Sequence, residues 1–334
     1  MSELKMLHAQ GLENHVELVE HSQAIASLSG QVHKAVTGNE GFQEVLGTLG
    51  EGMKSLGGGL LTTVGWVGGK TVSAFASVLG GAGNLLSRAF SDNDVLIKKI
   101  ITQFSKEDES EIKFSKDKVK LITSTGDHSM ISKDMDTLLE TLEFVDKHAK
   151  DLLTFLDKRM AVLRELKGVK TTEDIYKVID KYEALKYPGI SFPHHDGANY
   201  SSDVLPGGKV MVFDSSDIKY LMNGDSPEGS AGSATVSKSD ISDLLTKLDK
   251  VNAMHKRFKQ SYESYLGFIK SWGEMVKTVE SNMSQLERVS KSAQNDAEKL
   301  LGGEPAALAF YSGFTPRVVC YTDRYIHGVL GVFV

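Results

Sequence analysis

The chain has 334 residues, of which 40% are hydrophobic and 25% charged, and a formal net charge of −6. That composition excludes a disordered or fibrous chain and leaves one large or two modest domains with a real core. The acidic balance gives no electrostatic basis for nucleic-acid binding, and a lone cysteine, Cys320, excludes an intramolecular disulfide framework.

The N-terminus does not read as a signal peptide, because Glu3 comes early and no apolar run follows within the first thirty positions. Residues 1–40 read as an amphipathic helix, with Leu4, Leu7, Val16, Val19, Leu28 and Val32 at three- and four-residue steps. All six prolines lie at or after Pro188, which leaves long uninterrupted helices possible before it.

Residues 41–90 change character. Thirteen of the 43 residues from 41 to 83 are glycine, and Ser55 to Ser87 holds one charge, Lys70. A linker would carry fewer residues such as Leu60, Val64 and Trp66, and a surface helix would carry charges on its outer face. Small residues recur four apart, as in Ser55 and Gly59, Gly65 and Gly69, and Ala76 and Gly80, a spacing that lets another backbone approach closely. Each glycine costs about 1 kcal/mol of helix propensity, so protein or lipid packing must supply the difference. Two readings stay open: dense packing between subunits, or entry into a bilayer with Lys70 at a hairpin tip or in a pore lumen.

Residues 91–131 are charged. Ile112, Phe114, Val119 and Leu121 alternate about Lys116-Asp117 and predict a small β-hairpin over 112–122. A helix then runs from near Ser132 to about Leu166, with Met135, Leu138, Leu142, Val145, Ala149, Leu152, Leu156 and Leu163 on one stripe. A shorter one follows from a Thr171/Asp174 cap to Lys186. Residues 187–236 read as a loop or β excursion, with a hairpin in 187–215 and a flexible linker GDSPEGSAGSATVS.

From an N-cap at Ser237 with Asp240, a last long helix reads unbroken to Gly302. Ile241, Leu248, His255, Tyr262, Ile269, Val276, Met283, Ser290 and Ala297 form one heptad row. Leu244, Val251, Phe258, Tyr265, Trp272, Val279, Leu286, Ala293 and Leu300 form the other, which predicts a coiled-coil seam. The 132–166 helix is its expected antiparallel partner, so 132–304 reads as a long helical hairpin in an elongated rod. The tail, 305–334, is apolar and ends GVLGVFV, which predicts burial of its last residues.

Catalytic constellations are weak. His194-His195-Asp196 lies in a Pro/Gly loop without further ligands at metal-binding spacing. His8, His15 and His21 can share a helix face but have no Cys or carboxylate partners at set spacing. Cys320 with His327 reads as a structural thiol in an apolar segment. GTLGEGMKSLGGG around Lys54 lacks the phosphate-loop pattern. Glu109 with Glu111 and Asp134 with Asp136 read as solvated surface. The expectation is a protein that is not an enzyme, with no cofactor and no metal.

In layout, through GFQEVLGTLGEGMKSLGGGLL, DMDTLLETLEFVDKHAKDLL and FYSGFTPRVVCYTDRYIHGVL, the chain resembles virion structural and internal head proteins of large tailed bacteriophages. Gly11-Leu12-Glu13 and Gly38-Asn39-Glu40 fit the small-x-Glu tripeptide after which such head proteins are processed. The resemblance implies a virion component made in the host cytoplasm, with other virion subunits or its own copies as partners. A rival resemblance is to α-helical pore-forming toxins of the cytolysin A type, which implies a secreted protein that inserts residues 55–87 into a membrane. A type III translocator is a third analogue. The fold class expected is mainly α, an elongated antiparallel bundle of long helices with small β-hairpins. The residues assigned to assembly are Phe258, Tyr262, Tyr265 and Trp272 on the seam, and Val329, Leu330 and Phe333 in the tail. Those assigned to close packing or membrane contact are Gly59, Gly65, Trp66, Gly69, Lys70 and Gly80.

Overall fold

A computed structural model describes residues 5–10, 12–13, 15–16, 19, 93–103, 109–283, 289–301 and 304–333. The glycine-rich residues 55–87, with Gly59, Gly65, Trp66, Gly69, Lys70 and Gly80, lie outside the described residues. The described chain is mainly helical with two small antiparallel sheets.

Helix α1 covers residues 5–10 and continues through the described positions up to 19, and α2 covers 93–103. Strand β1 (Glu109–Phe114) is followed directly by helix α3 (Lys116–Ile122), where a hairpin over 112–122 was expected. Ser115 decides this: its side chain accepts from the Lys118 amide and caps a helix, and Val119 and Ile122 turn to the core three residues apart. The partner of β1 comes from the opposite end of the 132–236 region. Strand β6 (Gly232–Ser237) pairs antiparallel with it, Ile112 opposite Ala234. The last six residues of the Gly/Ser text taken for a linker therefore form a strand, while 224–231 have no regular structure. Gly126, at φ 81, holds the neighbouring turn where the Glu228 carbonyl leaves no room for a Cβ.

Helix α4 (Ile131–Arg164) buries the predicted stripe, from Met135 to Leu163. Asp134, expected at the surface, is buried and accepts from the Ser124 amide (2.6 Å) and hydroxyl (2.8 Å). Helix α5 (Thr172–Glu183) starts at the expected Thr171/Asp174 capping box. The excursion that follows is larger than a hairpin. Strands β2 (His194–Asp196), β3 (Asn199–Ser201), β4 (Val210–Asp214) and β5 (Lys219–Asn223) form a four-stranded meander.

Helix α6 (Lys238–Met283) begins at Ser237, whose hydroxyl accepts from the Asp240 amide (3.2 Å). It is described to Met283, and Val289 and Ser290 are not helical, so it does not run unbroken to 302. Helix α7 (Lys291–Leu301) restarts after Ser290, whose hydroxyl accepts from the Ala293 amide (3.2 Å). The long helices α4 and α6 run parallel, against the antiparallel expectation: Lys247 pairs with Asp136 (2.6 Å), and Arg257 with Asp146 (3.7 Å), ten residues along both. The β1–β6 pairing is the reason, because it sets the starts of α4 and α6 side by side, and residues 165–237 carry the chain back between them.

The segment that runs antiparallel to α6 is the C-terminal one: α8 (Pro305–Leu308), a π-helical stretch (Ala309–Phe314) and α9 (Thr315–Leu330). It descends along α6, with Trp272 Nε1 donating to the Leu301 carbonyl (3.0 Å) and Tyr265 stacked on Tyr311 (4.2 Å between ring centroids). Further down, His255 meets Val319 and Asp323.

The seven residues assigned to seam and tail are all buried within this chain: Phe258, Tyr262, Tyr265, Trp272, Val329, Leu330 and Phe333. The buried face of α6 is also wider than two heptad rows, since Leu245, Asn252, Met254, Phe268 and Met275 are buried too. That is a helix packed on several neighbours, a broader contact than a two-stranded seam.

Candidate functional site: a buried histidine–carboxylate cluster

Helix α9 carries Thr-Asp-Arg-Tyr-Ile-His, which puts Asp323 and His327 one turn apart on the same face. That face meets α6 at His255, and both α1 and α2 cover it. Asp323, fully buried, is the centre. His15 Nδ1 lies 2.8 Å from its Oδ2, Asn93 Nδ2 donates to Oδ1 at 3.0 Å, and His327 Nε2 stands 3.9 Å from Oδ1. Two turns up α1, His8 Nε2 donates to the His327 carbonyl (2.9 Å). At the margin Lys256 pairs with Asp94 (2.5 Å), which Asn252 also contacts (2.6 Å). Lys118 of α3 donates to the Gly331 carbonyl.

Burial pushes the Asp323 carboxyl up, but the His15 hydrogen bond, the His255 and His327 imidazoles and Asn93 together outweigh it and hold the group below the usual carboxylate range. Burial pushes the His255 imidazole down to about 4, against a smaller upward pull from Asp323. At neutral pH His255 is therefore neutral and Asp323 charged. Among the described residues no three His, Cys, Asp or Glu are placed to hold a metal ion. The arrangement instead joins four helices from both ends of the chain through one anion.

A second buried polar site lies mid-body. His148 Nε2 lies 2.6 Å from the Tyr220 hydroxyl, which lies 2.6 Å from the Tyr187 hydroxyl, among Phe213, Phe310 and Phe314. Burial likewise lowers His148 to about 4 and raises Tyr187 and Tyr220 above the ordinary phenol range. This site docks the meander onto α4 and the π-helical stretch. Arg159 is shared between the rings of Phe155 (4.5 Å) and Tyr182 (4.3 Å) and pairs with Glu304, tying α4 and α5 to the entry of α8.

A half-open cavity of about 410 Å³ lies between the β1–β6 ribbon, the starts of α4 and α6, and the C-terminal end. Phe114, Ile131, Leu244, Val329 and Phe333 line it, with His128 and Asp243 at its polar edge. Two of the tail residues assigned to assembly are thus walls of an intramolecular cavity. His194 and His195 are exposed, and His194 pairs with Asp203 (2.6 Å). Cys320 is half-buried against the core. Of the three N-terminal histidines, His8 and His15 share one face of α1, which is turned to α9, and His21 lies outside the described residues.

No family model, curated protein or solved structure matches this chain. Among the described residues, no helix is long and apolar enough to cross a membrane.

Proposed function

We propose that this chain is a structural component of a large assembly, a phage virion, that works without a catalytic site or cofactor and is held by contacts with other protein subunits. What supports this reading is where the apolar side chains go. Seam and tail are used inside the chain's own core, Trp272, Tyr265 and Leu330 among them. Contacts with neighbouring subunits then pass to residues 55–87, which hold one charge and small residues four apart. The resemblance to phage head proteins supplies the kind of assembly. We take the body to be a rod along α6, whose 46 residues span about 69 Å.

A second reading, an α-helical pore-forming or translocating protein, draws on one observation. The helices before and after residues 20–92 both bond the Asp323 carboxylate, through His15 and Asn93. An apolar segment anchored on both flanks suits storage until release into a bilayer. Mass in solution, run beside liposome flotation and dye release on the full-length chain, separates the two. Self-association without lipid binding supports the virion reading. A monomer that floats and causes leakage overturns it in favour of the pore former.

A further inference from the structure

We propose that the cluster around Asp323 is a proton-sensitive latch: it pins α1 and α2, which flank residues 20–92, to the helical body, and acid releases them. The geometry carries this. His15 and Asn93 are far apart in sequence yet take the two oxygens of one carboxylate, Oδ2 at 2.8 Å and Oδ1 at 3.0 Å. His327 stands 3.9 Å from the same group, and its carbonyl accepts from His8 (2.9 Å). The protein thereby closes both flanks of its apolar segment with a single anion.

Every element packed on that anion contributes to its charge balance. Helix α9 supplies Asp323 and His327. Helix α6 supplies His255 and, at the margin, Lys256, which Asp94 of α2 neutralises at 2.5 Å. Helix α1 supplies His8 and His15, and α3 supplies Lys118, whose ammonium is held by the Gly331 carbonyl. Among the described residues, four imidazoles stand around this one carboxylate. Protonating the fully buried His255 puts a positive charge beside His15 and His327, away from water. Detaching α1 and α2 opens that charge to water, so protonation of His255 favours the open form. The latch goes beyond both readings of function and does not depend on which of them holds.

The test is hydrogen exchange on the full-length chain at pH 7.5 and pH 4.5, corrected for the intrinsic chemical rate. Protection of residues 5–16 and 93–100 should fall at least tenfold at pH 4.5 while the middles of α4 and α6 keep theirs. At pH 7.5, Asp323→Asn should loosen both helices, whereas His15→Ala should loosen residues 5–16 alone. His255→Phe should blunt the acid response. Unchanged protection of residues 5–16 at pH 4.5, or loss spread evenly over the whole molecule, would overturn the latch. So would an Asp323→Asn protein that loosens only one of the two helices. Should that variant fail to fold, His15→Ala and Asn93→Ala carry the test, each expected to loosen its own helix and not the other. The readout needs neither lipid nor a second subunit, so it stands apart from the test of assembly.

Discussion

His148 and His255 are both buried, and burial lowers both to about 4, yet their surroundings differ in kind. His148 sits among phenols and phenyl rings, with no carboxylate among the neighbours that shift it. His255 faces a charged carboxylate and further imidazoles. The first site joins elements from the middle of the chain and the C-terminal run. The second joins elements from both ends. The lesson is that equal burial of a titratable group does not imply an equal role. A neutral aromatic network fixes packing, while an anion shared by several imidazoles adds a response to protons.

The largest effect should come from the seam that connects the two sites. Trp272→Ala removes a buried indole and its bond to the Leu301 carbonyl and should cost about 3–5 kcal/mol in urea unfolding. An unchanged midpoint would remove α6 from the core. Next is Asp323→Ala, which leaves His15, Asn93 and His327 without their shared acceptor and should cost about 3 kcal/mol. Tyr220→Phe deletes the hydroxyl that links His148 to Tyr187 and should cost about 1–2 kcal/mol, a difference from Asp323→Ala that sharpens the contrast. Lys247→Ala breaks an exposed pair with Asp136 and should change stability by about 0.5 kcal/mol or less.

The pH dependence has a definite sign. Both histidines have folded values below the ordinary imidazole value of 6.5, so between that value and about 4 the unfolded chain binds more protons. Their contribution is complete above pH 6.5 and is lost as pH falls toward 4, at roughly 1.4 kcal/mol per pH unit for each. Urea midpoints measured from pH 7 to 4.5 should fall steadily. His148→Phe should reduce the slope without altering exchange at α1, and a midpoint that rises with acid would contradict both assignments.

Much of the helical body was legible because its signals are local. The Thr171/Asp174 box, the Met135–Leu163 stripe and the Ser237 cap each need only a few neighbouring residues. What was not legible depends on distant partners. The strand text at 112–114 was right, but its partner is the Gly/Ser-rich run at 232–237, where Ala234 and Val236 alternate too weakly to stand out. The direction of α6 beside α4 followed from that same pairing. Asp323 was missed because its His15 and Asn93 partners lie 308 and 230 residues away. The available signal was an Asp and a His one turn apart in an apolar tail, with a second His on a buried row of α6. Asp134 and Asp136 show the limit of composition: two residues apart, one is buried on Ser124 and the other exposed to Lys247.

On the proposed reading, the body closes on itself and leaves subunit contacts to residues 55–87. Sedimentation of the full-length chain beside a variant lacking those residues is the decisive measurement. The full chain should self-associate, and the deletion variant should be a folded monomer. A deletion variant that still self-associates would place the interface on the body and contradict it.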